Sequence, residues 1–594
     1  MLRECVEIFT EIYNEKGERF ITDSYELEPG DYFIVKSNGS YRHTKIERTK
    51  KIEENLNRRT IEDYEYLAER DYLSRLLDMN KPIDGKKQIH SNNYLSFFVK
   101  NNVLSEKKKE LEESIEKYYE ILKNPFLKYD KGEKKRVYAQ LEEKLGKPSE
   151  EKIQKNYEWI KENLYKIKEE IKDGKEYIKI FFDEDIEEYK KENERYVIPN
   201  IYNSVDYNVI INDETYGLPN NNLNLNSKKP YLENKTRKEK YTVPYLLNEE
   251  EVFKQKKFFD YIYNMANSGK RNIYISSDKK EIIPLGNRES LSDDFTGYYL
   301  RIRKDKSESA IERYDIIPNY KAEIYPEIKI LDCLGNGENS KLEYGISISK
   351  NFELAARLNS LLFDGKLYGM IFGELEVFDE RIRNVANRYR EIFFELIYKG
   401  DMKKFADNYK EIFLELIKNS LCKKDYITEA YDMFNLMTSI DDSIKKERGM
   451  TVNKHQEIKE KFRNIFETGV GEIENDEEYF FALGQLAKFL ISRNKITVKT
   501  HELAVRIIEN RDIEGLKREI YKLFRKYAYD IGFYSIKFNT LYERVLGYET
   551  ESEKINMDRL LGGYLADSLI YEKSAKEENE ANNETKETNG EENE

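Results

Sequence analysis

The sequence predicts an α+β N-terminal half followed by an all-α C-terminal half, mostly α overall. Three observations predict it. "DYFIVKSNGSYRHTKIE" reads as two strands around Asn38-Gly39, a strong hairpin signal. Short apolar runs of strand length, "EYIKIFF" (176 to 182), "NIYIS" and "GYYLRIR", recur among helical stretches. Beyond about residue 350, nearly every apolar residue falls at helical spacing.

Taken in order, Leu2, Cys5, Val6, Phe9, Ile12 and Tyr13 have helical spacing, and Gly17 stands where a C-cap would. After the hairpin, residues 107 to 123 return to helix with Leu111, Ile115, Tyr118, Tyr119 and Leu122 on one face. A further helix around Trp159, Ile160, Leu164, Ile167 and Ile171 stops near Asp173-Gly174. Residues 200 to 247 are loop- and strand-like, rich in Asn, Pro and Gly. "CLGNGENSK" (333 to 341) marks a boundary. The expected domains are residues 1–345 (α+β), 346–470 (a helical connecting region) and 471–573 (the C-terminal helices). The tail 574–594 has no apolar periodicity and is expected to be disordered. The helix at 516 to 529 carries Leu516, Ile520, Leu523 and Tyr527 as one stripe, with Arg518, Lys522 and Arg525 about 200° around and Lys526 widening that face.

A chain of 594 residues is too long for one core, so two to four domains are expected. The net charge of −13 argues against a uniformly basic nucleic-acid binder. It leaves room for local basic surfaces, because exposed charges are screened beyond about 8 Å at physiological salt. Cys5, Cys333 and Cys422 lie far apart and form no C-x-x-C pair, so neither a zinc ribbon nor a disulfide framework is readable. No apolar run approaches about 18 residues and the N-terminus lacks a signal-peptide pattern. A reducing cytoplasm is the expected setting.

Signals for catalysis are sparse. The four histidines, His43, His90, His455 and His501, show no metal-binding spacing. No P-loop is present, and Gly335/Gly337 form a lone G-x-G that reads as a loop. Asp315 followed by Glu327-Ile-Lys329 mimics the D…E-x-K arrangement of metal-dependent nucleases. Arg448 and His455 mimic HEPN ribonuclease spacing, although Gly449 and "TVN" are expected to break the helix both would share. At 36% charged residues, matches of the first kind arise by chance. No catalytic constellation, cofactor motif or metal site is therefore readable.

Three constellations suit nucleic acid instead. "GLPNNNLNLNSKKPYLENKTRK" (217 to 238) places Asn220, Asn221, Asn222, Asn224 and Asn226 beside Lys228, Lys229, Arg237 and Lys238. Short amides can pair with base edges, while the cations grip flanking phosphates. A surface loop enriched in asparagine by genomic composition would look the same. "KQIHSNNYLSFFVKNN" (87 to 102) offers His90, Asn92, Asn93 and Lys100 to RNA, or else forms a capped turn entering a core strand. "DERIRNVANRYREIFF" adds Arg383, Asn387 and Arg390 on one helical face.

"KPIDGKKQIHSNNYLSFFVK", "ERYVIPNIYNSVDYNV", "YGLPNNNLNLNSKKPYLENKTRK" and "FALGQLAKFLISRNK…KTHEL…LGGYLADSLIYEK" together resemble the large subunit of type I-B CRISPR Cascade complexes, over residues 1 to about 573. Some relatives carry C-x-x-C pairs; this chain does not. The resemblance implies a non-enzymatic subunit of an antiviral DNA-targeting complex. Such a subunit binds near the guide RNA's 5′ handle, inspects the protospacer-adjacent motif (PAM) in target duplex DNA, stabilises the R-loop and presents the displaced strand to a separate helicase-nuclease. Its other partners are the Cascade backbone and small subunits, and its C-terminal bundle resembles the small subunit. The asparagine-rich stretch then becomes the PAM reader, and Arg518, Lys522, Arg525 and Lys526 the displaced-strand face. In type I-B systems a small subunit can be translated from within this reading frame, for which Met433, Met437 and Met450 are candidate starts. The rivals are a nuclease using Asp315, Glu327 and Lys329, and a helical scaffold without nucleic-acid contact.

Overall fold

A computed structural model of the chain describes residues 1–48, 59–202, 208–212, 214–219, 246–304, 309–335, 340–374, 379–423, 427–445, 450–495, 500–532 and 535–572. The fold is mostly helical, and all described strands lie between Gly30 and Lys350. Two compact units divide it: Met1–Asn287 with Thr296–Pro318, and Arg288–Phe295 with the chain from Asn319 onward. This division falls upstream of "CLGNGENSK", and the second unit takes in both the expected connecting region and the expected bundle.

In the first unit, Gly30–Val35 (β1), Tyr41–Ile46 (β2), Ser96–Lys100 (β3) and Tyr177–Phe182 (β4) form one sheet in the order β2-β1-β4-β3. The central pair β1–β4 is parallel and the flanking pairs are antiparallel. Central strands covered on both faces read as continuous apolar runs, which is why "YFIV" and "IFF" lack polar alternation. The hairpin turn uses Gly39 at φ 85°, a conformation that favours glycine, and Asn38 accepts a hydrogen bond from the Ser40 N–H at 3.0 Å. Helices Leu2–Lys16, Lys108–Lys123, Glu150–Glu170 and Glu249–Asn267 turn Phe9, Ile115, Ile160 and Ile262 into the same core. Asn248 starts the last of these with a capping box closed by Glu251. A second sheet joins Asn272–Ser276, Glu281–Leu285, Phe295–Lys304 and Ser309–Tyr320. A small third sheet joins Val209–Ile211, Glu214–Gly217 and Leu247–Asn248.

The second unit opens on the ribbon Glu323–Lys329 with Ser347–Lys350 and is helical thereafter among the described residues. Its tightest packing sets Asp476–Ser492 against Met557–Leu565. Glycines make that approach possible: a Cβ on Gly484 would lie 2.3 Å from the Leu560 carbonyl oxygen, and one on Gly563 2.1 Å from that of Phe481. Gln485 bolts the crossing, donating to the Gly563 carbonyl at 2.6 Å and accepting from the Leu569 N–H at 2.9 Å. "FALGQLAKF" and "LGGYLADSL", distant in sequence, are thus two sides of one contact.

Two local expectations are corrected. The residues Arg383, Asn387 and Arg390 do not share one helix, because the chain breaks at Tyr389 between Glu380–Arg388 and Arg390–Lys399. "TVN" does not break a helix; it lies inside Met450–Thr468, while Arg448 and Gly449 fall outside the described residues.

Candidate nucleic-acid interface

The helix Ile513–Tyr527 starts where Asp512 accepts a 2.6 Å hydrogen bond from the Gly515 N–H. Leu516, Ile520, Leu523 and Tyr527 are buried as the spacing predicts, and Arg518, Lys522, Arg525 and Lys526 are exposed. Lys522 pairs with Glu519 at 2.6 Å, whereas Arg518, Arg525 and Lys526 form no ion pair among the described residues. Between the two arginines on the same face stands Tyr521, 54% exposed. Sequence reading passed over it, because an aromatic residue next to an apolar stripe reads as core. Its offsets of three and four from Arg518 and Arg525 were the signal that places it on the cationic face. Unpaired guanidinium groups flanking an exposed ring are what single-stranded nucleic acid needs: charge for the phosphates and a platform for a base.

The segment 87 to 102 is arranged differently from the RNA-facing expectation. Asn92 and Asn93 are buried, at 2% and 0% exposure. Asn92 donates to the carbonyls of Leu73 (3.0 Å) and Arg75 (2.8 Å). Asn93 accepts from the Leu95 N–H at 2.9 Å and donates to Asn92 at 2.7 Å. Their amides satisfy backbone groups that β3 and the helix Tyr64–Ser74 leave open, so this is the capped turn entering a core strand. Lys100 is exposed and remains available to a phosphate.

His90 hydrogen-bonds to the Tyr177 hydroxyl at 2.6 Å and lies near the Lys87 carbonyl at 3.1 Å; burial lowers its pKa. It lines a cavity of about 370 Å³ with Arg75, Tyr177, Lys179, Lys256 and Asp260. The cations there are already matched. Lys179 sits 2.8 Å from Asp71 and 3.5 Å from Glu28, and Asp260 lies 2.7 Å from Arg75 and 2.5 Å from Lys256. The cavity is polar but internally neutralised.

Asn220, Asn221, Asn222, Asn224, Asn226, Lys228, Lys229, Arg237 and Lys238 lie outside the described residues. Asp315 belongs to the first unit, with Glu327 and Lys329 exposed on a strand of the second. His455 is buried, at 1% exposure. Among the described residues no group of three His, Cys, Asp or Glu side chains is placed to hold a metal ion, and no helix is long and apolar enough to cross a membrane. Cys5 and Cys333 are buried, and burial pushes both thiols up to about 12. Comparison with family models, with curated proteins and with solved structures found no match to this chain.

Proposed function

We propose that this chain is the non-catalytic large subunit of a type I-B CRISPR Cascade complex. In this role it binds the guide RNA 5′ handle region, reads the PAM, stabilises the R-loop and recruits the helicase-nuclease. The observation that carries the reading is the outer face of Ile513–Tyr527, where Arg518, Tyr521 and Arg525 stand exposed opposite a buried apolar stripe. That face suits a displaced strand, which offers phosphates and unstacked bases together. The mutual packing of the segments that carry the family resemblance adds support. Base pairing with the guide would read the long target, while protein reads the short flanking motif.

The test is to co-express the chain with its neighbouring genes and a guide RNA, then measure target-duplex binding across a library of flanking trinucleotides. The wild type is compared with a variant carrying alanine at Asn220, Asn221, Asn222 and Asn224. Motif-dependent binding is expected, with a wrong base pair costing about 1–3 kcal/mol. The variant should assemble yet lose that preference. A preference that survives in the variant moves the reader elsewhere, and a chain that joins no guide-containing complex overturns the proposal.

A further inference from the structure

Three lysines of the first unit converge without a paired carboxylate among the described residues. Lys81 donates from Nζ to the backbone carbonyls of Asn200 (2.6 Å) and Tyr202 (2.7 Å). Lys134 approaches the same asparagine, 3.4 Å from its side-chain oxygen. Lys128 donates to the carbonyl of Pro82, the residue after Lys81. All three are partly buried, and among the described residues none has a carboxylate within 4 Å. Asp78 acts on Lys81 and Asp84 on Lys128 only from beyond 4 Å, their carboxylates accepting instead from the Asn80 N–H and from the N–H groups of Lys87 and Gln88. Glu133, next to Lys134 in sequence, accepts from the Asn208 amide at 2.7 Å.

This differs in kind from the nearby cavity, where Lys179, Arg75 and Lys256 each face an acid. Carbonyl ligands hold the lysines in place but do not neutralise them. Burial, then repulsion from Lys134 and Lys128, pushes Lys81 down to about 7, and burial followed by Lys134 pushes Lys128 down to about 8. The helix Gly132–Leu145 adds to the same field. Lys134 lies in its first turn, and Lys131 at the N-cap position supplies no side-chain cap for the open N–H groups. Tyr202 is bridged to Pro219, so the cluster stands where the chain enters the asparagine- and lysine-rich stretch.

We propose that Lys81, Lys128 and Lys134 form a phosphate-binding site, which, on the functional reading above, receives a backbone phosphate of bound nucleic acid. A phosphate supplies the missing negative charge and enough oxygens to accept from more than one ammonium group. The same chemistry would also hold a free polyphosphate, so the two sources are tested separately.

The experiment uses the full-length chain with two probes, an oligonucleotide duplex and pyrophosphate. The variants are Lys134→Gln and Lys134→Glu, with exposed Lys117→Gln on another helix as reference. Lys134 makes the longest of these bonds, so its substitution spares the fold. Lys134→Gln is expected to lower the slope of log K against log salt for the duplex by about 0.9, the loss of one phosphate contact. Lys117→Gln is expected to keep the slope. Lys134→Glu is expected to raise the melting temperature of the ligand-free protein by relieving repulsion, while weakening duplex binding by about tenfold or more. Those opposite signs separate a binding site from a structural one. If the slope is unchanged in every variant and pyrophosphate gives no cluster-dependent thermal shift, the site is overturned while the nucleic-acid function stands. If pyrophosphate binds through the cluster but the duplex does not bind at all, the phosphate site stands and the nucleic-acid function fails. If the wild type binds neither probe, the site is overturned.

Discussion

His455 is the residue least at ease in its surroundings. It is 1% exposed, packs edge-on to Phe434 and near Phe481, and among the described residues neither ring nitrogen has a hydrogen-bond partner. Burial, with the charges of Arg559 and Lys459, holds its pKa well below the ordinary value. An unmet buried polar group costs about 1–3 kcal/mol. His455→Leu, of similar size and without that cost, is therefore expected to raise stability in urea by about 1 kcal/mol at pH 7.5. The acid side follows from linkage. The unfolded imidazole takes up its proton near pH 6.5 while the folded one stays neutral, so the wild type keeps full stability above pH 6.5 and loses it as pH falls below. The advantage of the leucine variant should therefore grow by about 1.4 kcal/mol per pH unit between pH 6 and 5. An advantage independent of pH would show that the imidazole is protonated or solvated in the fold. Asn93 carries the opposite lesson. Its side chain serves the Leu95 N–H inside the first unit, so Asn93→Ala should cost about 1–3 kcal/mol of stability. "HSNNY" looks the same on paper whether its amides face bases or backbone, because nothing local in a sequence says which carbonyls lie across the fold.

Among the elements, Ile513–Tyr527 was the most legible. Its apolar and cationic residues separate cleanly around the axis; the reading missed Tyr521 and the helix's first turn, which begins at buried Ile513 rather than near residue 516. Tyr521→Ala should weaken single-strand binding by about 1–3 kcal/mol, the worth of one base stacked on an aromatic ring, without lowering the melting temperature. Measured by fluorescence anisotropy, an unchanged affinity would leave the face purely electrostatic. The crossing of Asp476–Ser492 with Met557–Leu565 was half legible: both helices could be read, their contact could not. Its determinant is absence of side chains, at Gly484 and Gly563, and a lone glycine inside a helical pattern reads as weakness rather than contact. Gly563→Ala should cost about 1–3 kcal/mol, because the new methyl meets backbone that cannot rotate away. The β1–β4 sheet was legible strand by strand, but its order was not, since pairing of β1 with β4 depends on residues far apart in the chain.

For the whole molecule, a net charge of −13 must coexist with two cationic sites, one in each unit: the Lys81 cluster and the face of Arg518 and Arg525. Summed charge hides both, since only the charges near a bound phosphate act on it at physiological salt. The sites differ in what they suit. Semi-buried lysines backed by carbonyls fit a fixed phosphate, whereas exposed arginines around a ring fit a flexible strand. A forked substrate, duplex with a single-stranded flap, offers both at once. If one nucleic acid engages both units, the second contact becomes intramolecular and the fork binds more tightly than duplex or strand alone. Lys134→Gln should then lower the fork's salt slope by about 0.9, the pair Arg518→Gln with Arg525→Gln by about 1.4, and the triple variant by the sum. If the units instead bind separate ligands, the fork will show no gain over its parts. In that case the duplex slope will respond only to Lys134 and the strand slope only to the arginines. A subunit that holds an opened duplex requires the additive result.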